Sequence, residues 1–305
     1  MYFAGPTKSR NFFIYSHRNK FITMNEKQHK YEYKIAIDTD SGPARVVRIV
    51  GKNKRVLEIG AGPGSITKLL TAVSNCRVTA LEIDAESVKK LIPYCEQVYR
   101  ADLNDSSWPE LIAKEEKFDV LVAADVLEHV YDPLSVLTSM KRFVNDEGYM
   151  VISLPHIGHS VIHACLFEED FEYGESGLLD RTHIRFFGIK NIQSLVENAG
   201  LKIVHAEFVV RNPEHTEFSK RWAKVSPELR NVLAKNPFGL VYQVIIKAVP
   251  VHSIGDAISL LKIPVVPHTP SFKESLKAFL RLHFSEKSYS IIQRIASKIS
   301  MVIKG

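Results

Sequence analysis

Cysteine is scarce in this chain, with three among 305 residues; Cys76, Cys95 and Cys165 lie far apart and form no CxxC. That spacing suggests neither a disulfide framework nor a structural zinc site, so no metal is expected and a reducing cytoplasm is the default compartment. Long apolar runs are also missing. None approaches the ~20 residues that cross a bilayer, and the FFIY stretch near the start is too short for a signal-peptide core. Acids are few in residues 1–25 and again in 271–305. The latter segment has Lys273, Lys277, Arg281, Lys287, Arg294, Lys298 and Lys304 against Glu274 and Glu286, so it carries +5 of the net +6 and leaves the body nearly neutral. At 45% hydrophobic, the chain can bury one substantial core, and an α/β domain of about 220 residues with appendages is the expected division.

The segment Arg55 to Leu70, RVLEIGAGPGSITKLL, is the most informative. An apolar, β-prone run ends in Glu58-Ile59-Gly60-Ala61-Gly62-Pro63-Gly64, and a helix-compatible stretch follows at once. Residues without Cβ let a backbone turn tightly and let a ligand approach main-chain N–H groups, so three alternating glycines between strand and helix read as a nucleotide-cradling loop. Charge selects among adenosyl cofactors. A dinucleotide would place its pyrophosphate at the helix N-terminus, facing Glu58 unfavourably. The same carboxylate suits the amino group and sulfonium of S-adenosylmethionine. A second strand candidate, RVTALEID from Arg77, ends in Glu82, placed to accept from ribose hydroxyls. In QVYRADLND, Asp102 can accept from an adenine amino group, although Asp102 and Asp105 also suit ordinary loop capping. A fourth strand candidate, Phe118 to Ala124, runs into Asp125-Val126-Leu127-Glu128-His129-Val130.

The loop EIGAGPG, the acid of ALEID, the acid of ADL and the segment FDVLVAADVLEHV, in this order and spacing, resemble the class I S-adenosylmethionine-dependent methyltransferases. More narrowly, YEYKIAIDTDSGPARVV, SLPHIGH and LLDRTHIRFF resemble a bacterial branch found with glycan-assembly glycosyltransferases, over roughly Tyr31 to Pro250. The chain departs from that branch at His156, where Asn usually follows the proline. The resemblance implies a doubly wound, mostly parallel seven-stranded α/β sheet with the last strand antiparallel. It also implies cofactor contacts from Glu58, Gly60, Ala61, Gly62, Gly64, Glu82, Ile83, Asp102, Leu103 and Asp125, and a sugar or glycan hydroxyl as acceptor. Periodicity supports the architecture: strand candidates begin near Arg55, Arg77, Gln97, Phe118 and Gly148, separated by helix-sized segments at Ala85–Leu91 and Pro133–Phe143. A helix over Ile189–Ala199, ended by Gly200, precedes strand candidates at Leu201–Val210 and Gly239–Val249.

A hydroxyl acceptor needs a base, and histidine is matched to neutral pH. The candidates are His159, which matches the branch's recurring histidine, then His183, with His156, His129 and His163 behind them; Asp180 is placed to orient one of them. Asp125 and Glu128 read equally as a helix capping box. Two other classes compete. A nucleic-acid methyltransferase is disfavoured because the fourth strand lacks an Asn/Asp-Pro-Pro-aromatic sequence and the basic residues cluster in one terminal segment. A silent scaffold fits poorly with an intact glycine loop and three matched acids. The expected organisation is an arm over 1–30, with Met24 an alternative start, the methyltransferase domain over 31–250, a linker over 251–270 and a helical tail over 271–305. In that tail Ile292, Ile295, Ile299 and Val302 repeat at helical spacing, suiting either packing on this chain or a second subunit, or a peripheral membrane contact.

Overall fold

The computed structural model describes residues 14–15, 31–267, 269, 272–283 and 288. Eight strands form one sheet: β1 (Ile14–Tyr15), β2 (Arg55–Ile59), β3 (Arg77–Glu82), β4 (Gln97–Arg100), β5 (Phe118–Ala124), β6 (Val144–Pro155), β7 (Leu201–Val210) and β8 (Val241–Pro250), in the order β1-β4-β3-β2-β5-β6-β8-β7. The helices are α1 (Gly42–Val50), α2 (Ser65–Ala72), α3 (Ala85–Leu91), α4 (Trp108–Leu111), α5 (Pro133–Met140), α6 (Ser160–Phe167), α7 (Ile189–Asn198), α8 (Ser219–Trp222), α9 (Pro227–Leu233) and α10 (Phe272–His283).

The central strands pair in parallel, β4 with β3, β3 with β2, β2 with β5, and β5 with β6. Such strands are covered on both faces, which is why FDVLVAA is apolar without alternation and almost wholly buried. The last strand reverses. Arg211, just past β7, donates to the carbonyl of Leu240, just before β8, while Val251, just past β8, donates to Gly200 at the start of β7. This is the doubly wound sheet expected, with an eighth strand added at its edge, where β1 pairs antiparallel with β4 through two residues of the expected arm. The rest of that arm, and the Ile292-to-Val302 face, lie outside the described residues.

Local chemistry sets the helix ends. Asp84 accepts from Ser87 N–H at 2.7 Å to cap α3, and Asp132 accepts from Ser135 N–H at 3.0 Å to cap α5. The helix start expected at Asp125 is corrected: Leu127–His129 form a single 3-10 turn, and α5 begins only at Pro133.

By contact the chain divides into two units. The first comprises Met1–Leu154, Gln193–Ala206 and Ile245–Ser259; the second comprises Pro155–Ile192, Glu207–Val244 and Leu260–Gly305. In the first, the segment expected as a linker is pinned, since Ile258 N–H donates to Ile203 O. The second has its own core, in which Val161, Ile162 and Cys165 of α6 pack with Leu178, Leu179, Phe218, Trp222 and Val225. It is built largely from the segments that follow β6 and β7.

Candidate functional site

The strand order β4-β3-β2-β5 sets four carboxyl ends side by side in the first unit, so Asp102, Glu82, Glu58 and Asp125 share one edge of the sheet. The glycine loop turns there through left-handed backbone at Gly60 (φ +60°), Gly62 (φ +55°) and Gly64 (φ +85°). Their reasons differ. A Cβ on Gly60 would lie 2.6 Å from Val126 Cγ2, so that glycine serves internal packing. A Cβ on Gly62 would meet nothing within 4 Å. Gly62 therefore borders open space, as a backbone kept bare for a ligand should.

Glu82 does more than end β3. Its two oxygens accept from Gly62 N–H at 2.7 Å and Asp84 N–H at 2.8 Å, so it holds the glycine loop in place. A carboxylate has about four lone-pair sites, which leaves capacity for ribose hydroxyls. The next residue, Ile83, is 55% exposed, a large apolar side chain ready to cover an adenine face. Asp102 is exposed and accepts from the Asn104 N–H and side-chain amide, and Leu103 beside it is half-buried. Ala61 is buried, its N–H bonded to Leu81 O. Asp125 sits in left-handed backbone at φ +54°, a conformation uncommon for a residue with a side chain, and accepts from Ser153 Oγ at 2.9 Å.

Glu58 is only 2% exposed and accepts from Thr67 Oγ1 at 2.7 Å. Burial pushes its pKa up to about 7, with the negative Glu82 adding to the rise and the Thr67 hydroxyl opposing it. A carboxyl poised there ionises readily once a cation arrives. The sequence reading missed Tyr33. Its N–H donates to Ser65 Oγ, at the start of α2, and burial of the phenol together with the charges of Asp125 and Glu58 pushes its pKa up. Its only signal was position in the YEYKIAID motif.

In the second unit the histidines separate. His159 is fully buried, and both ring nitrogens are engaged: Nε2–H donates to Arg211 O at 2.9 Å, and Nδ1 accepts from Val161 N–H, capping α6. Burial lowers its pKa to about 4, outweighing the bond to Arg211 O. The expectation that His159 leads as base is thus corrected, because a base must reach its proton. His156 is likewise buried; its N–H donates to Tyr242 O and its Nδ1–H to Val241 O, and burial lowers its pKa. His183 is half-buried. Its Nδ1–H donates to Leu178 O at 3.2 Å. Asp180 is buried, and its Oδ1 accepts from the Thr182 N–H and hydroxyl, closing the DRTH turn. Glu217, also missed, braces this segment from β7's following loop by accepting from Leu178 N–H and from the Tyr242 hydroxyl. In the first unit, His129 is half-buried at the end of its 3-10 turn, and in the second His163 is exposed on α6.

Comparison with known proteins agrees with this geometry. A family model described as a methyltransferase domain matches residues 28–206. A ubiquinone biosynthesis O-methyltransferase of Dinoroseobacter shibae is 27% identical over 56% of this chain and 68% of its own length. Another of that name, from Actinobacillus pleuropneumoniae, is 29% identical over 33% of this chain, which spans less than half of it at 45%. A solved S-adenosylmethionine-dependent methyltransferase from Archaeoglobus fulgidus aligns at 20% identity with a TM-score of 0.47, covering 68% of this chain and 91% of that one. With a bare glycine cradle, an acid at the end of β3 and a family model covering more than half of its residues, the chain belongs to the methyltransferase domain family, and its cofactor is S-adenosylmethionine.

Proposed function

We propose that this chain O-methylates a hydroxyl of a sugar, a glycan intermediate or another small molecule. The observation that carries the reading is His183, half-buried with its Nδ1–H donating to Leu178 O, a bond that in the neutral tautomer puts the acceptor nitrogen at Nε2. When bound, S-adenosylmethionine supplies an electrophilic methyl group, so the chain need only hold an acceptor in line, exclude water and remove a proton. Gly60, Gly62, Gly64, Glu82 and Ile83 would hold the adenosine part, with Ala61, Asp102 and Leu103 beside them. Glu58 and Asp125 place negative charge toward the cationic end. His183 would take the hydroxyl proton at Nε2, with Asp180 and Glu217 keeping its segment folded. His129 is the second candidate base, and His156 and His159 become structural. The relatives named as O-methyltransferases support oxygen as the acceptor atom, and the resemblance to the branch found with glycan-assembly glycosyltransferases supports a sugar.

The test is mass spectrometry of surface glycans from a deletion strain beside the intact strain. Loss of a ~14 Da increment per repeat, the mass of a methyl replacing hydrogen, is expected, with restoration by the intact gene and none by the His183→Ala variant. An unchanged glycan mass would overturn the sugar assignment, and full restoration by His183→Ala would overturn the base.

A further inference from the structure

Residues 31–33 are tied down at three points within the first unit. Ser65 bridges them, its Oγ accepting from Tyr33 N–H at 3.1 Å and donating to Tyr31 O at 3.1 Å. Between those two tyrosines, Glu32 spreads its carboxylate over two helices, with Oε1 3.2 Å from Lys68 Nζ of α2 and Oε2 2.6 Å from Lys90 Nζ of α3. The pair of ammonium groups holds the Glu32 carboxyl down to about 2. Ser65 directly follows Gly64, so this fastening lies where the glycine loop enters α2.

Tyr33 is 46% exposed, although its phenol lies within the field of Asp125 and Glu58, the two carboxylates at the ends of the central strands β5 and β2. An aromatic ring beside two acids is complementary to a cation, since the ring quadrupole and both carboxylates attract positive charge.

We propose that Glu32 is a positioning residue for the methyl donor: its ion pairs with Lys68 and Lys90 hold Tyr33 over the glycine-loop side of the site, where the ring meets the cationic end of S-adenosylmethionine. The inference rests on the cofactor assignment and goes beyond it by naming a fastener that does not touch the ligand. It also separates two ligands of nearly equal shape. S-adenosylmethionine has a sulfonium, whereas S-adenosylhomocysteine has a neutral thioether, so the ring discriminates between them only if it is held in place.

Calorimetric titration of the full chain with each ligand tests this. Tyr33→Ala is expected to weaken S-adenosylmethionine about tenfold, and S-adenosylhomocysteine about twofold, within the range of a partly desolvated cation–π contact. Tyr33→Phe should keep the discrimination, because the ring remains. Glu32→Gln should reproduce the Tyr33→Ala losses, and the double variant should lose no more than Tyr33→Ala alone. Melting temperatures without ligand check that every variant is folded. Unchanged affinities in Glu32→Gln, losses that add in the double variant, or equal losses for both ligands would each overturn the inference. Failure of the unsubstituted chain to bind either ligand would instead overturn the cofactor assignment.

Discussion

At the residue scale, the buried carboxyl of Glu58 makes stability and cofactor binding depend on pH in a definite direction. Its pKa is raised from 4.5 to about 7 in the folded chain, so the native state holds its proton over a range in which the unfolded chain has lost it. Stability therefore falls as pH rises through that window, by about 3 kcal/mol in full. Glu58→Gln lacks this loss; its denaturation midpoint without cofactor should exceed that of the unsubstituted chain at pH 8 and approach it at pH 4. His159 works in the opposite sense. A histidine depressed to about 4 contributes stability that is complete above 6.5 and lost as pH falls toward 4. Substituting His159 should lower the melting temperature, because it removes an α6 cap and the tie to Arg211, whereas His183→Ala should lower kcat with little change in melting temperature. The two glycines give a matched pair. Gly60→Ala drives its Cβ into Val126 and should cost about 3 kcal/mol from overlap and left-handed strain together. Gly62→Ala has the strain without the overlap, and should harm cofactor affinity more than folding, as calorimetry beside thermal denaturation would show.

At the element scale, the glycine loop depends on the strand beside it. Glu82 at the end of β3 holds Gly62 and Asp84 by their N–H groups, so Glu82→Ala should weaken cofactor binding by about 2–4 kcal/mol and also lower the melting temperature of the free chain, since two N–H groups lose their partner. The helix α10 carries a different expectation. It packs on α8 and on the turn Pro213–His215, yet leaves Leu276, Phe279 and Leu282 exposed at i, i+3 and i+6. Truncation after Pro270 should therefore destabilise the second unit. For the alternative expected from its basic residues, a peripheral membrane contact, truncation should also abolish flotation with anionic liposomes, salt weakening the intact chain's flotation first. A full-length chain that never floats would exclude the membrane alternative.

At the scale of the whole molecule, ligand linkage is the simplest check. Either S-adenosylmethionine or S-adenosylhomocysteine at 100 times its Kd should stabilise the chain by ~2.7 kcal/mol and raise the melting temperature, and NAD should not. The charge distribution predicts a second whole-chain property. With +5 of +6 in residues 271–305, removal of that segment should shift the isoelectric point from about 9.0 toward neutrality and cut retention on a cation exchanger. No helix among the described residues is long and apolar enough to cross a membrane.

The sequence by itself determined the sheet and the cradle, because both are local. Period and length mark the strands from Arg55, Arg77, Gln97 and Phe118, and glycine between strand and helix is required by backbone geometry at that one place. The tertiary structure decided everything that depends on which partner a polar atom meets. SLPHIGH reads as a row of catalytic candidates, yet two of its histidines are spent on Val241 O and Arg211 O, carbonyls 85 and 52 residues away. Glu32 reads as an ordinary surface acid until α2 and α3 bring Lys68 and Lys90 to either side of it. A histidine or a glutamate looks the same in a sequence whether it faces ligand, solvent or its own backbone. Folding makes that choice, because a buried polar group must be paired and its partner lies wherever the chain returns.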